Sequence, residues 1–293
     1  MAKFVLSAFA DEAGSALAEQ IKALKENEID YIEPRNIEGK NLLTLSEDEL
    51  SSIKREFDKN GIKVNSLGSP IGKYPIDKPF DDHLIDFKKA LRACEIFDTK
   101  NMRVFSFYVE QDKLKENRNE VISRLSELVR IASCRGIRLC HENESKIYGQ
   151  MPSEVRDILS SVEGLYGVFD AANYRMNDGD IDQGIEATLI RLGYIHIKDA
   201  IFSEQMIVPA GEGEGKLREV LDRVDKATNE VIYLTLEPHL HIFDAYKDID
   251  EHELRGKYSF KTNREAFDFA ANTLKSLLRS LGFERNGANE WVR

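Results

Sequence analysis

Short apolar runs alternate along the chain with longer segments in which apolar residues recur at helical spacing. Runs of strand length lie at residues 4–10, 31–36, 63–69, 102–108, 138–144, 166–173, 193–200 and 231–239. Runs of this kind, bounded by turn residues, are typical of parallel strands that are covered on both faces. The pattern therefore predicts eight buried strands.

The segments between these runs are amphipathic and carry helix signals. One of them opens with Ser46 and Glu49 in a capping-box arrangement and ends at Gly61. Eight strands, each followed by a helix, predict an α/β fold, a (β/α)₈ TIM barrel forming a single domain over residues 1–293. Its longest irregular piece falls at about 240–261, after the eighth strand. An open doubly wound sheet is the alternative, which the strand count disfavours, and no G-x-G-x-x-G sequence follows the first strand.

Polar side chains come late in these strands. They are Glu33 in the second strand, Glu142 and Glu144 in the fifth, Asp170 in the sixth, His196 and Lys198 in the seventh, and Glu237 and His239 in the eighth. The active site of a barrel forms at the carboxyl ends of its strands. Because side chains alternate faces along a strand, the two polar residues of the fifth, seventh and eighth strands share a face in each case.

Four adjacent strands can each direct one of these side chains at a common point. The candidates are Glu142, Asp170, His196 and Glu237. Three carboxylates crowded in a barrel mouth would repel one another and take up protons, and a divalent cation is the simplest way to keep them ionised. Oxygen-rich ligation with one imidazole suits Mn²⁺, our first choice, or Mg²⁺, with Co²⁺, Fe²⁺ and Zn²⁺ as alternatives. We therefore expect one divalent ion.

The composition of the chain indicates a globular protein and disfavours some classes of partner. Hydrophobic residues make up 42% and charged residues 32% of the chain, as in ordinary globular proteins. The formal net charge of −11 counts against nucleic acid as a partner. The three cysteines lack metal or disulfide spacing, no signal peptide is visible, and no apolar run approaches the roughly 18 residues of a membrane span. These features predict a cytoplasmic globular protein that spans no membrane.

The motifs at the strand ends, taken in order, resemble those of the xylose-isomerase-like TIM-barrel superfamily, which includes sugar isomerases, ketose 3-epimerases and the endonuclease IV branch. The motifs are SAFADE, IEPRN, SLGSPIGK, HENE, FDAAN, HIKDA, GEGEG and LEPH, and they span most of the chain. The resemblance to ketose 3-epimerases implies that Glu142, Asp170, His196 and Glu237 bind the metal and that Glu142 and Glu237 are the catalytic acid and base. It also implies that Asn173 contacts substrate. The arginine that follows the metal histidine in some epimerases has no match here, where Phe202 stands near that place.

We therefore expect a metal-dependent sugar epimerase or isomerase that abstracts a proton next to a carbonyl and passes through a metal-stabilised enediolate. The candidate substrate-binding residues are Glu33, Glu144, Asn173, Lys198 and His239. The alternatives are a cyclitol or keto-acid dehydratase, an abasic-site endonuclease, which the single well-placed histidine and the acidic charge disfavour, and a non-catalytic sugar-binding barrel.

Several polar residues could have a structural role instead of a functional one. Glu144 could pair with Lys146, Lys198 could be a structural partner of Asp170, and His83 is expected at the surface. The GEGEG segment lacks the ending of a phosphate-binding loop and is expected to be a flexible loop at the rim of the pocket.

The segment at about 240–261 is long for a βα loop. It carries Phe243, Tyr246, Tyr258 and Phe260, which are hard to leave in water as a group. We expect it to form a lid or an intersubunit contact, so a homo-oligomer is left open.

Overall fold

Eight parallel strands form the barrel in a computed structural model that describes residues 1–240 and 260–293. They are β1 (Lys3–Ala8), β2 (Tyr31–Ile32), β3 (Lys63–Val64), β4 (Asn101–Val104), β5 (Arg138–Glu142), β6 (Tyr166–Asp170), β7 (Leu192–Ile197) and β8 (Val231–Leu236). Strand β4 pairs with β5, β5 with β6, β6 with β7, β7 with β8, and β8 with β1, all in parallel. The predicted TIM barrel is confirmed.

The second and third strands are shorter than the predicted runs. Each has two residues in regular pairing, β2 with β3. Beyond them the backbone still closes the barrel, because the Glu33 amide donates to the Ala8 carbonyl (3.0 Å) and the Leu67 amide donates to the Asn101 carbonyl (2.9 Å). The polar residues after β2 therefore stand in the barrel wall although they lie outside the regular strand.

Helices surround the barrel. The described helices are α1 (Leu17–Glu26), α2 (Glu47–Lys59), α3 (Phe80–Phe97), α4 (Leu114–Ser133), α5 (Pro152–Ser161), α6 (Ala171–Met176), α7 (Ile181–Thr188), α8 (Leu217–Ala227) and α9 (Asn263–Ser280). The capping box of Ser46 and Glu49 is present at the start of α2. Helix α6 was not predicted, and it begins where Asp170 accepts the Asn173 amide (2.8 Å). None of the described helices is both long enough and apolar enough to cross a membrane.

The part of the chain that the structure describes contains three short hairpins in addition to the barrel strands. They pair Asn36–Ile37 with Lys40–Asn41, Asp199–Ile201 with Met206–Val208, and Glu284–Arg285 with Glu290–Val292. In the last hairpin, Trp291 lies beside Phe4 in antiparallel pairing, so this hairpin flanks β1 on the side opposite β8. Of the expected lid, residues 241–259, including Phe243, Tyr246 and Tyr258, lie outside the described residues. Phe260 packs against Phe269 of α9, with ring centroids 5.3 Å apart.

The apolar core fills the space between strands and helices, whereas the barrel interior below its mouth is largely polar. Fully or nearly fully buried interior residues include Ser7, Glu33, Asn65, Ser66, Asn101 and Thr235. They bond to one another: Ser7 donates to Asn65 (2.6 Å), and Thr235 donates to Glu33 (3.0 Å). Because buried polar groups are costly unless paired, this connected layer fixes the side chains that lie under the mouth.

Candidate metal centre

Four ligand-type side chains converge at the carboxyl ends of β5 to β8. One ligand atom each from Glu142, Asp170, His196 and Glu237 lies within 4.8 Å of the other three. All four residues are buried, at 0–3% exposure. The register explains the convergence, because Asp170 and His196 are direct neighbours on β6 and β7, and Glu237 follows the last residue of β8.

The imidazole of His196 lies at the centre of the cluster. Its Nδ1 is 2.9 Å from Glu142 Oε1 and 3.2 Å from Glu237 Oε2. Burial would lower the pKa of His196, but Glu142 and Glu33 outweigh it and raise the pKa well above its usual value. The residues alone therefore favour a proton on the imidazole. A metal-bound imidazole must be neutral, so binding of a divalent ion would displace this proton.

The two glutamates are held as carboxylates by His196, which they share, and by one further cation each. Burial raises the pKa of Glu142, but His196 and Arg103 outweigh it and lower the pKa to about 2. Arg103 Nη1 is 3.2 Å from Glu142 Oε2. Burial opposes ionisation of Glu237 too, yet Lys198 and His196 keep its pKa well below the usual value. Both carboxylates are therefore in the form that ligates a metal or accepts a proton.

Asp170 completes the set. Burial raises the pKa of Asp170 to about 6, against the opposing charge of Lys198, whose Nζ is 3.0 Å from Asp170 Oδ2. Neither Asp170 Oδ2 nor Glu237 Oε2 receives a well-formed hydrogen bond from a residue that the structure describes, although both are buried. Buried carboxylates are stabilised by cations such as Lys198, and three carboxylates with one imidazole are also a donor set suited to a divalent metal.

The substrate-binding candidates are spread from the barrel interior to its rim. Lys198 reaches both Asp170 and Glu237 Oε1, the latter at 3.5 Å. Asn173 donates to the Asn143 carbonyl (2.9 Å) and lies 3.4 Å from Glu142. His239 Nε2 is 3.1 Å from Glu237 Oε1.

The two remaining candidates lie at opposite depths. Glu144 is partly exposed at the rim and pairs with Lys73 (3.0 Å) rather than with Lys146. Glu33 is fully buried, with its carboxylate against His196 Nε2 at 3.2 Å.

Sequence reasoning missed a buried charged network beside the candidate metal ligands. Arg35 contacts Asp11 (2.9 Å), Glu12 (2.9 Å) and Glu237 (3.4 Å), and Arg103 contacts Glu142. The signal was present in the alternation of faces, because Arg35 stands two residues after Glu33. A charged residue in a strand is usually assigned to the surface, so this signal was overlooked.

The GEGEG segment differs from the expected flexible loop. Its glycine amides bind the buried carboxylate of Asp199, which follows Lys198 directly. Asp199 accepts from the amides of Gly211 (2.9 Å), Gly213 (3.1 Å) and Gly215 (2.8 Å). A Cβ at Gly213 would lie 2.3 Å from Asp199 Oδ1, so the close approach requires glycine. The segment is thus a fixed wall next to the candidate site.

Comparisons with known proteins agree with this architecture. The family model for xylose isomerase-like TIM barrels matches residues 21–256. No curated protein matches the chain in sequence. Among solved structures, the IolI protein with a zinc atom superposes with a TM-score of 0.73 at 18% identity, covering 95% of this chain and 99% of that one.

Two further structures are similar over most of their length. The D-psicose 3-epimerase of Clostridium cellulolyticum H10 with D-tagatose has a TM-score of 0.67 at 15% identity, covering 94% of this chain and 99% of that one. The probable 3-DHS dehydratase AsbF of Bacillus anthracis has a TM-score of 0.69 at 12% identity, with coverage of 94% and 99%. These superpositions establish a shared fold, and the family match covers more than half of the sequence. The chain therefore belongs to the xylose isomerase-like TIM-barrel family.

Proposed function

We propose that the protein is a metal-dependent epimerase or isomerase that acts on a sugar or a related polyol with a carbonyl group. The observation that carries this proposal is the position of Glu142 and Glu237, two buried carboxylates that contact the same imidazole nitrogen of His196 from different strands. Two bases near one point are what inversion at a carbon next to a carbonyl requires, since one removes a proton and the other returns one.

The side chains around the glutamates support these roles. Arg103 beside Glu142, and Lys198 with Arg35 beside Glu237, favour the ionised carboxylates that accept a proton. A divalent ion held by Glu142, Asp170, His196 and Glu237, with Mn²⁺ as our first choice, would polarise the substrate carbonyl as a Lewis acid. We propose that Asn173, Lys198, His239 and Glu144, which lie around the glutamates or at the rim, orient the substrate hydroxyl groups.

Charge around the site favours an uncharged substrate. Its buried carboxylates, within the described part of the chain, are Asp11, Glu12, Glu33, Glu142, Asp170 and Glu237, whereas its buried cations are Arg35, Arg103 and Lys198. A divalent ion would leave one negative charge in excess. This balance favours a neutral polyol over a sugar phosphate, a keto acid or a nucleic acid.

The test is solvent deuterium incorporation. Protein loaded with Mn²⁺ is incubated in D₂O with a panel of ketoses, keto-glycosides and inososes, and products are identified by NMR. An epimerase with two bases places deuterium at the inverted carbon. Glu142→Gln and Glu237→Gln should each lower turnover by about 10²–10⁴-fold. Glu110→Gln, which replaces an exposed glutamate after β4, is the matched control and should leave turnover unchanged.

Other outcomes would redirect or refute the proposal. Wild-type turnover in both glutamine variants would contradict the two-glutamate mechanism. Product without solvent deuterium would point to an aldose–ketose isomerase that shields or transfers the hydrogen internally. Loss of water from the substrate would identify a dehydratase. Unchanged metal content in His196→Ala, measured by elemental analysis, would remove His196 from the ligand set.

A further inference from the structure

We propose that Glu33 is a positioning residue, which holds His196 in the tautomer whose Nδ1 lone pair faces the metal. The inference rests on the metal site proposed above. It assigns to Glu33 a structural role toward the metal ligand in place of the substrate contact that the sequence suggested.

The contacts of Glu33 define this role. Its Oε2 lies 3.2 Å from His196 Nε2, and Thr235 donates to the same oxygen at 3.0 Å. Its Oε1 accepts the hydroxyl of Tyr194 at 2.7 Å. Both carboxylate oxygens are thus engaged, and the residue has no exposed surface. A substrate in the barrel mouth would meet the imidazole before it met Glu33.

The two nitrogens of His196 consequently face different partners. Nε2 points at Glu33, which accepts hydrogen bonds, so the proton of the neutral imidazole belongs on Nε2. Nδ1 points at Glu142 and Glu237, which are themselves ligand candidates. A carboxylate behind a ligand histidine fixes its tautomer and raises its basicity, and loss of such a partner typically weakens metal binding about 10–100-fold.

Packing fixes the plane of the ring as well. The ring of Phe9 meets the imidazole edge to face, with centroids 5.0 Å apart, and the ring of Tyr194 lies 5.5 Å away. With the ring held in this way, removal of Glu33 leaves the second tautomer available. The proton of that neutral tautomer would sit on Nδ1, between Glu142 and Glu237, and would leave no lone pair there for a metal.

The experiment measures metal affinity rather than activity. Binding of Mn²⁺ to the metal-free protein is followed by calorimetry for wild type, Glu33→Gln, Glu33→Leu and Glu110→Gln. We expect Glu33→Gln, which can still accept a hydrogen bond from His196 Nε2, to lose about tenfold in Mn²⁺ affinity. Glu33→Leu cannot accept this hydrogen bond and should lose about a hundredfold. The exposed-site variant Glu110→Gln should bind like wild type. Circular dichroism establishes that each variant is folded.

A second readout separates positioning from general destabilisation. In Zn²⁺-loaded protein, the ¹⁵N shifts of the His196 ring report which nitrogen carries the proton. Wild type and Glu33→Gln should show the proton on Nε2. If Glu33→Leu does not fold, Glu33→Gln and Tyr194→Phe carry the test. Tyr194→Phe removes the hydroxyl that donates to Glu33 and bonds to Ser66, but it leaves the contact between Glu33 and His196 Nε2, so the tautomer should be kept.

The outcomes are distinct for the two proposals. If wild type binds none of Mn²⁺, Mg²⁺, Co²⁺ or Zn²⁺, the metal site itself is wrong. If wild type binds metal and the folded Glu33 variants bind it equally well, only the role of Glu33 is overturned. A proton on Nδ1 of His196 in the metal-loaded wild type would also overturn it.

Discussion

At the scale of single residues, His83 shows how one neutral imidazole can fix a loop. It was expected at the surface, but this was wrong: helix α3 turns it inward, where its Nε2 accepts the Gly72 amide (2.9 Å) and its ring stacks on Tyr74 with centroids 4.6 Å apart. Gly72 has a φ of +89°, and a Cβ there would lie 2.0 Å from the Phe105 carbonyl oxygen. The loop that brings Lys73 to the rim therefore depends on the uncharged form of His83.

This arrangement predicts a dependence of stability on pH. Burial lowers the pKa of His83 to about 4, whereas the unfolded chain has a value of about 6.5. The unfolded state thus binds the proton more tightly. The contribution of neutral His83 to the free energy of unfolding is therefore complete above pH 6.5. It falls by up to about 3 kcal/mol as the pH falls toward 4. His83→Gln keeps an acceptor without a titrating group, so its free energy of unfolding should fall less over this window than that of wild type. The unfolding free energy of both proteins is measured by denaturant titration at several pH values, and an equal fall with pH in the two proteins would contradict this prediction.

The candidate metal-ligand set was accessible from the sequence because the alternation of faces along a strand needs no tertiary information. Glu142, Asp170, His196 and Glu237 were selected in this way, and the structure brings them together. Arg35 and Arg103 were not selected. Their burial depends on the carboxylates that surround them in space, and those carboxylates come from other strands.

At the scale of elements, the segment 199–215 is held by one carboxylate. Asp199 accepts four backbone amides, those of the three glycines and of Ala200 (2.9 Å). The sequence motif did not reveal this, because the partner of the glycines is a side chain that lies before the motif. An asparagine offers one oxygen, so it leaves amides unsatisfied.

Asp199→Asn should therefore loosen this segment, with a cost of about 2–3 kcal/mol. The measurement is amide hydrogen exchange at residues 200–215, which should accelerate in the variant. Asp182→Asn is the matched control, because Asp182 pairs with Lys216 at the surface and such pairs contribute little. Protection that is unchanged in Asp199→Asn would show that packing alone holds the segment.

At the scale of the whole molecule, the order of eight βα units was predictable, and the family resemblance drawn from the strand-end motifs is confirmed. The hairpin at 284–292 was not predicted, since its strands are too short to show periodicity. Its Trp291 is nevertheless buried, with 2% exposure, against β1.

Trp291→Ala should lower the free energy of unfolding by about 3–5 kcal/mol, because it leaves a large cavity beside β1. Metal affinity of the folded variant should be preserved, since Trp291 pairs with Phe4, near the end of β1 that lies away from the mouth. Val231→Ala, at a position that is 40% exposed, serves as the control. The free energy of unfolding is measured by chemical denaturation. If Trp291→Ala loses no more of it than the control, the hairpin does not stabilise the barrel.

The same hairpin has a consequence for the order in which the protein is made and folded. Strand β1 is made before the other described strands. Its partner on one side, β8, nevertheless begins only at Val231, and Lys3 reaches Glu290 of the hairpin across 287 residues. Contacts this distant in sequence close slowly, because a long loop must be ordered first. On the ribosome, the edge of β1 that faces β8 must therefore stay unpaired until β8 has emerged, and during that interval the chain is most exposed to chaperones and to aggregation.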